Sequence, residues 1–410
     1  MAAIDSRTAR PARRMHARTV RRPLRGVTGH LDVAYVRTPE ARRRVRTPIV
    51  VLPGGPGMAS MLPYAALRSW ADKSGIDLVM IDHRGVGLSR TDDAGADLTA
   101  DDLWIRDIVD DVIAVLDAEN IDTAVLYGAS YGTYLAQAVA AEHPGRVAGL
   151  VLDSAMLGAD DVHEERRLTR ATLWEGTRPA TRHLAAKVRT LVESETVPER
   201  EALAVTRTVY EFAGPDLLER LLDDVHAGRN RLAWNQLVRL NDADILRARR
   251  HLMEFDLVGA IAFRELGAAP DPDGLPFDPA AAFTDIADRF PAFAGEPYDL
   301  LAAARRAPYP ILLVSGERDL RTPPAVAERI AATAPHARLV RVTGSGHSQL
   351  DSRGDVARLV IEAVARDGVA GADVDEGALA ALTARRRPVS LDGLLRILVP
   401  AARLLPAHRA

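Results

Sequence analysis

A serine with a glycine two residues to either side, Gly128–Ala129–Ser130–Tyr131–Gly132, stands between the apolar run Ala124–Val125–Leu126–Tyr127 and the helix-like Thr133–Tyr134–Leu135–Ala136. A serine hydroxyl is a weak nucleophile until something presents it and takes its proton. A strand that reverses sharply into a helix presents it, lifting the oxygen above the sheet. Side chains at Gly128 or Gly132 would collide with backbone in so tight a turn. Ser130 is the candidate nucleophile. Tyr131 follows at a helix N-terminus, where its backbone N–H can hold a developing oxyanion.

Such a serine needs an acid and a histidine, and both follow it in the chain. Pro310–Ile311–Leu312–Leu313–Val314–Ser315–Gly316 reads as a buried parallel strand ending in a turn. Asp319 lies just beyond it. A second strand, Ala337–Arg338–Leu339–Val340–Arg341–Val342, runs into Gly344–Ser345–Gly346–His347. In open α/β sheets, reacting groups gather at the carboxyl ends of strands, and Ser130, Asp319 and His347 all fall there. Neutral His347 can take the serine proton while Asp319 fixes its tautomer and stabilises the imidazolium. Glu317 is a rival acid two residues earlier, and His336 precedes the second strand.

The front half supplies loops for the same site. Thr47–Pro48–Ile49–Val50–Val51–Leu52 is a strand-like run entering Pro53–Gly54–Gly55–Pro56–Gly57. Adjacent glycines let backbone come close to a substrate, and Gly55 N–H is the candidate second oxyanion donor; Pro56 has no N–H. Another strand, Asp77–Leu78–Val79–Met80–Ile81, leads to Asp82–His83–Arg84–Gly85–Val86–Gly87–Leu88–Ser89. That segment reads as structural, with Asp82 and Arg84 pairing within the loop.

Jointly these motifs resemble the α/β-hydrolase fold and, within it, the proline iminopeptidase and tripeptidyl-aminopeptidase-like serine peptidases. The resemblance covers residues 28–155 and 305–367. In that family the first loop usually reads His-Gly-Gly-Pro-Gly and the second Asp-Gln-Arg-Gly-x-Gly-x-Ser; the tripeptidyl branch often has Gly-x-Ser-Tyr-Gly-Thr. Pro53 stands here where the family has histidine, His83 where it has glutamine, and Ala129 where the tripeptidyl branch often has glutamate. The resemblance therefore specifies fold and triad more narrowly than substrate.

It implies a mostly parallel central sheet with helices on both faces, built from residues 26–154 and 305–367. Residues 155–304 carry helical patterns such as Leu217–Val225 and Leu237–Phe255. In this fold an insertion there becomes a helical cap, which buries the substrate and excludes water. The turn-rich Asp271–Pro272–Asp273–Gly274–Leu275–Pro276 is a candidate hinge or rim. Family members place glutamates in the cap to read a free N-terminal amine. Glu265 is the first candidate for that task, with Glu254 and Glu175 behind it.

The expected activity is that of an aminopeptidase acting through an acyl-enzyme on short peptides or amides. An esterase, lactonase or amidase uses the same triad, and fold does not choose among them. Dehalogenases and epoxide hydrolases of this fold use aspartate where this chain has Ser130. A non-catalytic binding protein on the same scaffold is the alternative outside enzymes.

Composition bounds the rest. A chain of 410 residues can hold one large domain and an insertion. A net charge of −3 gives no pull toward nucleic acid or anionic membrane. Without cysteine, disulfides and thiolate catalysis are excluded, which suits a reducing cytoplasm. The histidines lack zinc-ligand spacing, no cofactor is implied, and no apolar run reaches the roughly 18 residues of a membrane span. Residues 1–25 hold eight arginines and one acid, Asp5, with no apolar export region, and read as a disordered basic arm. The extension 368–410 carries an amphipathic stretch, Leu391–Val399, suited to packing on the core, to a homo-oligomer interface or to a membrane surface.

Overall fold

The computed structural model describes residues 16–26, 28–38, 47–246, 249–385 and 391–403. Eight strands form one sheet: β1 (Arg18–Pro23), β2 (His30–Thr38), β3 (Ile49–Leu52), β4 (Leu78–Asp82), β5 (Ala124–Ala129), β6 (Val147–Asp153), β7 (Ile311–Gly316) and β8 (Ala337–Val342). Their spatial order is β1-β2-β4-β3-β5-β6-β7-β8. Pairs β1–β2 and β2–β4 are antiparallel and all others parallel. The helices of six residues or more are α1 (Ala65–Ser74), α2 (Ile105–Ala118), α3 (Tyr131–Glu142), α4 (Asp161–Leu173), α5 (Arg182–Glu193), α6 (Glu199–Ala213), α7 (Pro215–His226), α8 (Arg231–Leu246), α9 (Phe255–Leu266), α10 (Leu300–Arg305), α11 (Pro324–Thr333), α12 (Gly354–Gly371), α13 (Glu376–Ala384) and α14 (Leu391–Arg403).

Apart from polar residues near their carboxyl ends, such as Asp82, Asp153 and Ser315, the central strands are apolar because both faces of a parallel sheet are covered. In β5, Ala124 and Leu126 enter one core with Ile108 and Val112 of α2. Val125, Tyr127 and Ala129 enter the opposite core with Leu67 of α1 and Val360 of α12. A third core joins the helices inserted between β6 and β7: Leu168, Leu184, Leu203, Leu221 and Trp234 are all in it. Leu320, Leu395 and Val399, from outside that segment, enter the same core.

Four expectations change. The basic arm is not wholly unstructured: Arg18–Pro23 is an edge strand, and residues 1–15 lie outside the described residues. Its arginines find acids elsewhere, Arg18 with Glu119 at 2.6 Å, Arg21 with Asp93 at 2.7 Å and Arg22 with Asp111 at 2.9 Å. The helical run 237–255 is two helices, because Met253 bridges to Met58 and Glu254 N–H donates to Gly57 O at 2.8 Å. Arg84 pairs outside its own loop, donating to both carboxylate oxygens of Asp111 on α2. The loop 271–276 is tied down, since Arg170 of α4 grips Asp273 through two hydrogen bonds of 2.6 and 2.7 Å.

The C-terminal stretch packs on the inserted helices. Leu395 and Val399 of α14 are buried in the third core, and Asn230 Nδ2 donates to Val399 O at 2.9 Å. Leu394 and Ile397, on its other side, are exposed. Among the described residues, no helix is long and apolar enough to cross a membrane.

Candidate active site

β5 ends at Ala129, and the chain reverses at Ser130 with φ 52° and ψ −122°. Positive φ is strained for a residue with a Cβ, and it persists only where the surroundings hold it. Here they do: Ser130 N–H donates to Asp153 O at 2.9 Å, and Ser130 O accepts Thr133 N–H at 2.8 Å and Thr133 Oγ1 at 2.6 Å. Both glycines are sterically required. A Cβ on Gly128 would lie 2.3 Å from Gly132 O, and one on Gly132 would lie 1.9 Å from Leu52 O.

His347 Nε2 stands 3.0 Å from Ser130 Oγ. Its Nδ1 lies 3.1 Å from each carboxylate oxygen of Asp319. Asp319 is fully buried and accepts Arg321 N–H at 3.0 Å, Thr322 N–H at 2.9 Å and Thr322 Oγ1 at 2.8 Å. Burial alone would push its carboxyl up, but the His347 charge and these donors hold it below its ordinary value. Burial pulls His347 down, and the Asp319 charge and hydrogen bond outweigh that, so its net shift is upward from 6.5. The hydroxyl, imidazole and carboxylate form one hydrogen-bonded chain, able to move a proton off Ser130.

The rivals separate cleanly. Glu317 is exposed and accepts Gly344 N–H at 2.9 Å, while His336 is exposed beside β8. The structure also shows a support that the motifs do not reveal. Buried Asp153, at the end of β6, accepts Gln349 N–H and Leu350 N–H at 2.9 and 2.8 Å and so anchors the chain just after His347. Burial pushes its carboxyl up to about 7 against those donors. An acid at a strand's carboxyl end was the available clue.

The loop after β3 reaches the serine through Gly54, where a Cβ would lie 3.2 Å from Ser130 Cβ. Gly55 follows with φ 121°. Tyr131 heads α3, so its N–H has no acceptor within the helix. Beside it, His83 packs edge-on to the Tyr131 ring at 5.9 Å, and burial pushes its imidazole down to about 4.

The three acids expected to face the serine are not brought together. Glu265 is buried and accepts Ile105 N–H at 3.0 Å, heading α2, where the helix dipole favours a carboxylate. Its charge also bears on the Tyr131 phenol. Glu254 is fully buried, accepts Gly87 N–H and lies 3.7 Å from Arg90. Glu175 is exposed, on the wall of a cavity of about 360 Å³ lined by Arg166, Arg167 and Arg170. The two buried acids are engaged with backbone, which corrects the expectation of free carboxylates there. As a metal site the described residues offer only the surface group Asp110, Glu142 and His143, whose ligand atoms lie within 4.8 Å of one another.

A family profile described as the alpha/beta hydrolase fold matches residues 47–353. The chain is 34% identical over 110 residues to a probable proline iminopeptidase of Leptolyngbya boryana, covering 27% of this chain and 32% of that protein. It is 36% identical over 110 residues to a proline iminopeptidase of Neisseria meningitidis, covering 27% and 33%. These matches span about a third of the relatives' length. The crystal structure of a proline iminopeptidase from Mycobacterium smegmatis superposes with a TM-score of 0.49 at 18% identity, over 84% of this chain and 97% of that one. Sheet order, serine turn and profile agree: the chain belongs to the α/β-hydrolase fold family and within it resembles the proline iminopeptidases.

Proposed function

We propose that this protein is a serine hydrolase working through an acyl-enzyme, and that its substrates are short peptides or amides with a free N-terminal amine. The observation that carries the reading is the chain of hydrogen bonds from Ser130 Oγ through His347 to Asp319. Ser130 attacks the carbonyl carbon while His347 takes its proton; the C–O bond forms as the carbonyl electrons move onto oxygen. The N–H groups of Gly55 and Tyr131 receive that oxyanion, and each donor is worth about 10² to 10³ in turnover. Return of the proton from His347 to the leaving amine breaks the C–N bond, and water then releases the acyl group by the same route. The helices inserted between β6 and β7 act as the cap.

The pH dependence has a fixed sign. Only neutral imidazole accepts the serine proton, and His347 holds its proton above the ordinary 6.5. Acylation should therefore rise with pH through a midpoint above 6.5, read from kcat/KM of an ester whose own groups do not titrate there. A rate that does not change with pH through the histidine range contradicts the assignment of His347 as base.

The substrate is tested with a proline arylamide bearing a free amine and its N-acetylated twin, with p-nitrophenyl acetate beside them. Cleavage of the free amine at least about a hundredfold faster, close to 3 kcal/mol of discrimination, is the expected result. Two inert amides beside a Ser130-dependent esterase would replace the peptidase reading with an esterase or lactonase one.

A further inference from the structure

Glu211 lies on α6, in the inserted segment, and is fully buried. Its carboxylate accepts Leu320 N–H at 2.9 Å and Arg321 Nε at 2.9 Å. These are the two residues that follow Asp319. Leu320 also sends its side chain into the third core, among the inserted helices. The main chain of Glu211 meets the other partner of the proton relay. A Cβ on Gly346, the residue before His347, would lie 2.5 Å from Glu211 O and 2.9 Å from Glu211 Cβ. One residue of the insertion thus touches the chain next to both Asp319 and His347.

Displacing that contact displaces catalytic geometry. Arg321 N–H and Thr322 N–H are the donors that aim Asp319 Oδ1. A buried ion pair adds little net stability over well-packed apolar side chains, so what Glu211 and Arg321 supply is register. We propose that Glu211 is a positioning residue: its carboxylate clamps Leu320 and Arg321, so that the inserted helices set where Asp319 and His347 stand relative to Ser130. This rests on reading Ser130, His347 and Asp319 as the reacting set.

The charged groups facing His347 are Asp319, Arg321 and Glu211; the imidazole is raised by the two acids and lowered by Arg321. Behind them Glu165 of α4 pairs with Arg207 of α6 at 2.7 Å, and Glu165 also bears on Arg321. Two readouts follow. The His347 titration is read by NMR of protein labelled with ¹⁵N-histidine, its signals identified by their loss in His347→Gln. The rate of Ser130 phosphonylation by a fluorophosphonate is read across the same pH range.

Glu211→Gln keeps an acceptor for Leu320 N–H but loses the charge, and should move the titration down. It should also slow the plateau rate by about 10- to 100-fold, as small misplacements do. Arg321→Gln should move the titration up, and the double variant should react no more slowly than Glu211→Gln alone, because one clamp is being removed. General loosening would not produce shifts of opposite sign. Unmoved titrations, shifts in the same direction, or a Glu211→Gln protein reacting at the parent rate would overturn the proposal. If Glu211→Gln does not fold, Arg321→Gln carries the test alone, and a plateau rate equal to the parent's overturns it. The titration needs no turnover, so an inert Ser130 in the parent protein would sink the catalytic reading separately from the clamp.

Discussion

Replacing Ser130 by alanine is expected to lower turnover of both ester and arylamide by on the order of 10⁶ while leaving the melting temperature nearly unchanged. Alanine keeps the Cβ that the turn accommodates and removes the atom that forms the bond. His347 then faces water at a partly exposed position, so no buried donor is stranded. Asp319 keeps its bonds to Arg321, Thr322 and His347. The residual rate, about 10³ to 10⁴ above water, is what oxyanion donors and binding supply without a nucleophile. Initial rates at saturating substrate test this, with a melt on the same sample. Turnover within about tenfold of the parent would remove Ser130 from the mechanism.

Gly132→Ala is expected to do the reverse, destroying the fold before chemistry can be measured. Its Cβ would sit 1.9 Å from Leu52 O, 2.6 Å from Leu52 C and 2.6 Å from Pro53 O. These are backbone atoms at the end of β3, and Leu52 is held in register with Gly128. No rotamer change can relieve the overlap. A loss beyond about 4 kcal/mol is exceptional for one substitution, and it is a large share of a typical total stability of about 5–15 kcal/mol. Gly145→Ala is the control: its Cβ would meet nothing within 4 Å, and it should stay within about 0.5 kcal/mol. Thermal melts followed by circular dichroism decide the matter. A Gly132→Ala protein melting beside its parent would contradict the close approach of β3 to the serine turn.

The same contacts explain what was legible in the sequence. Val50, Val125, Leu126 and Leu313 lie in strands buried on both faces, so their apolar runs announce them without any knowledge of their neighbours. The strand Ala337–Val342 was readable to the residue. Glycine pairs a few residues apart betray the serine turn because the collision they avoid is local. Strand β1 was hidden for the opposite reason. Arg18, Arg21 and Arg22 look like a solvated arm until Glu119, Asp93 and Asp111, far along the chain, come to meet them.

The supporting acids were hidden in the same way. Asp153 and Glu211 accept backbone N–H groups from segments more than a hundred residues away, and no spacing rule reports that. Glu254 and Glu265 show the converse error. Carboxylates in a helical insertion look available for substrate, yet Gly87 and Ile105 hold them inside the fold. Asp319 lies within hydrogen-bond distance of His347, whereas Glu317, two residues earlier, accepts Gly344 N–H instead.

The central claim is that Ser130 is a nucleophile made reactive by His347. Its most direct test is the intact mass of the protein after brief exposure to a fluorophosphonate, followed by peptide mapping. The account predicts one adduct per chain, on Ser130, absent in Ser130→Ala and formed far more slowly in His347→Gln. A protein that gains no adduct, or gains it equally in Ser130→Ala, would contradict the account.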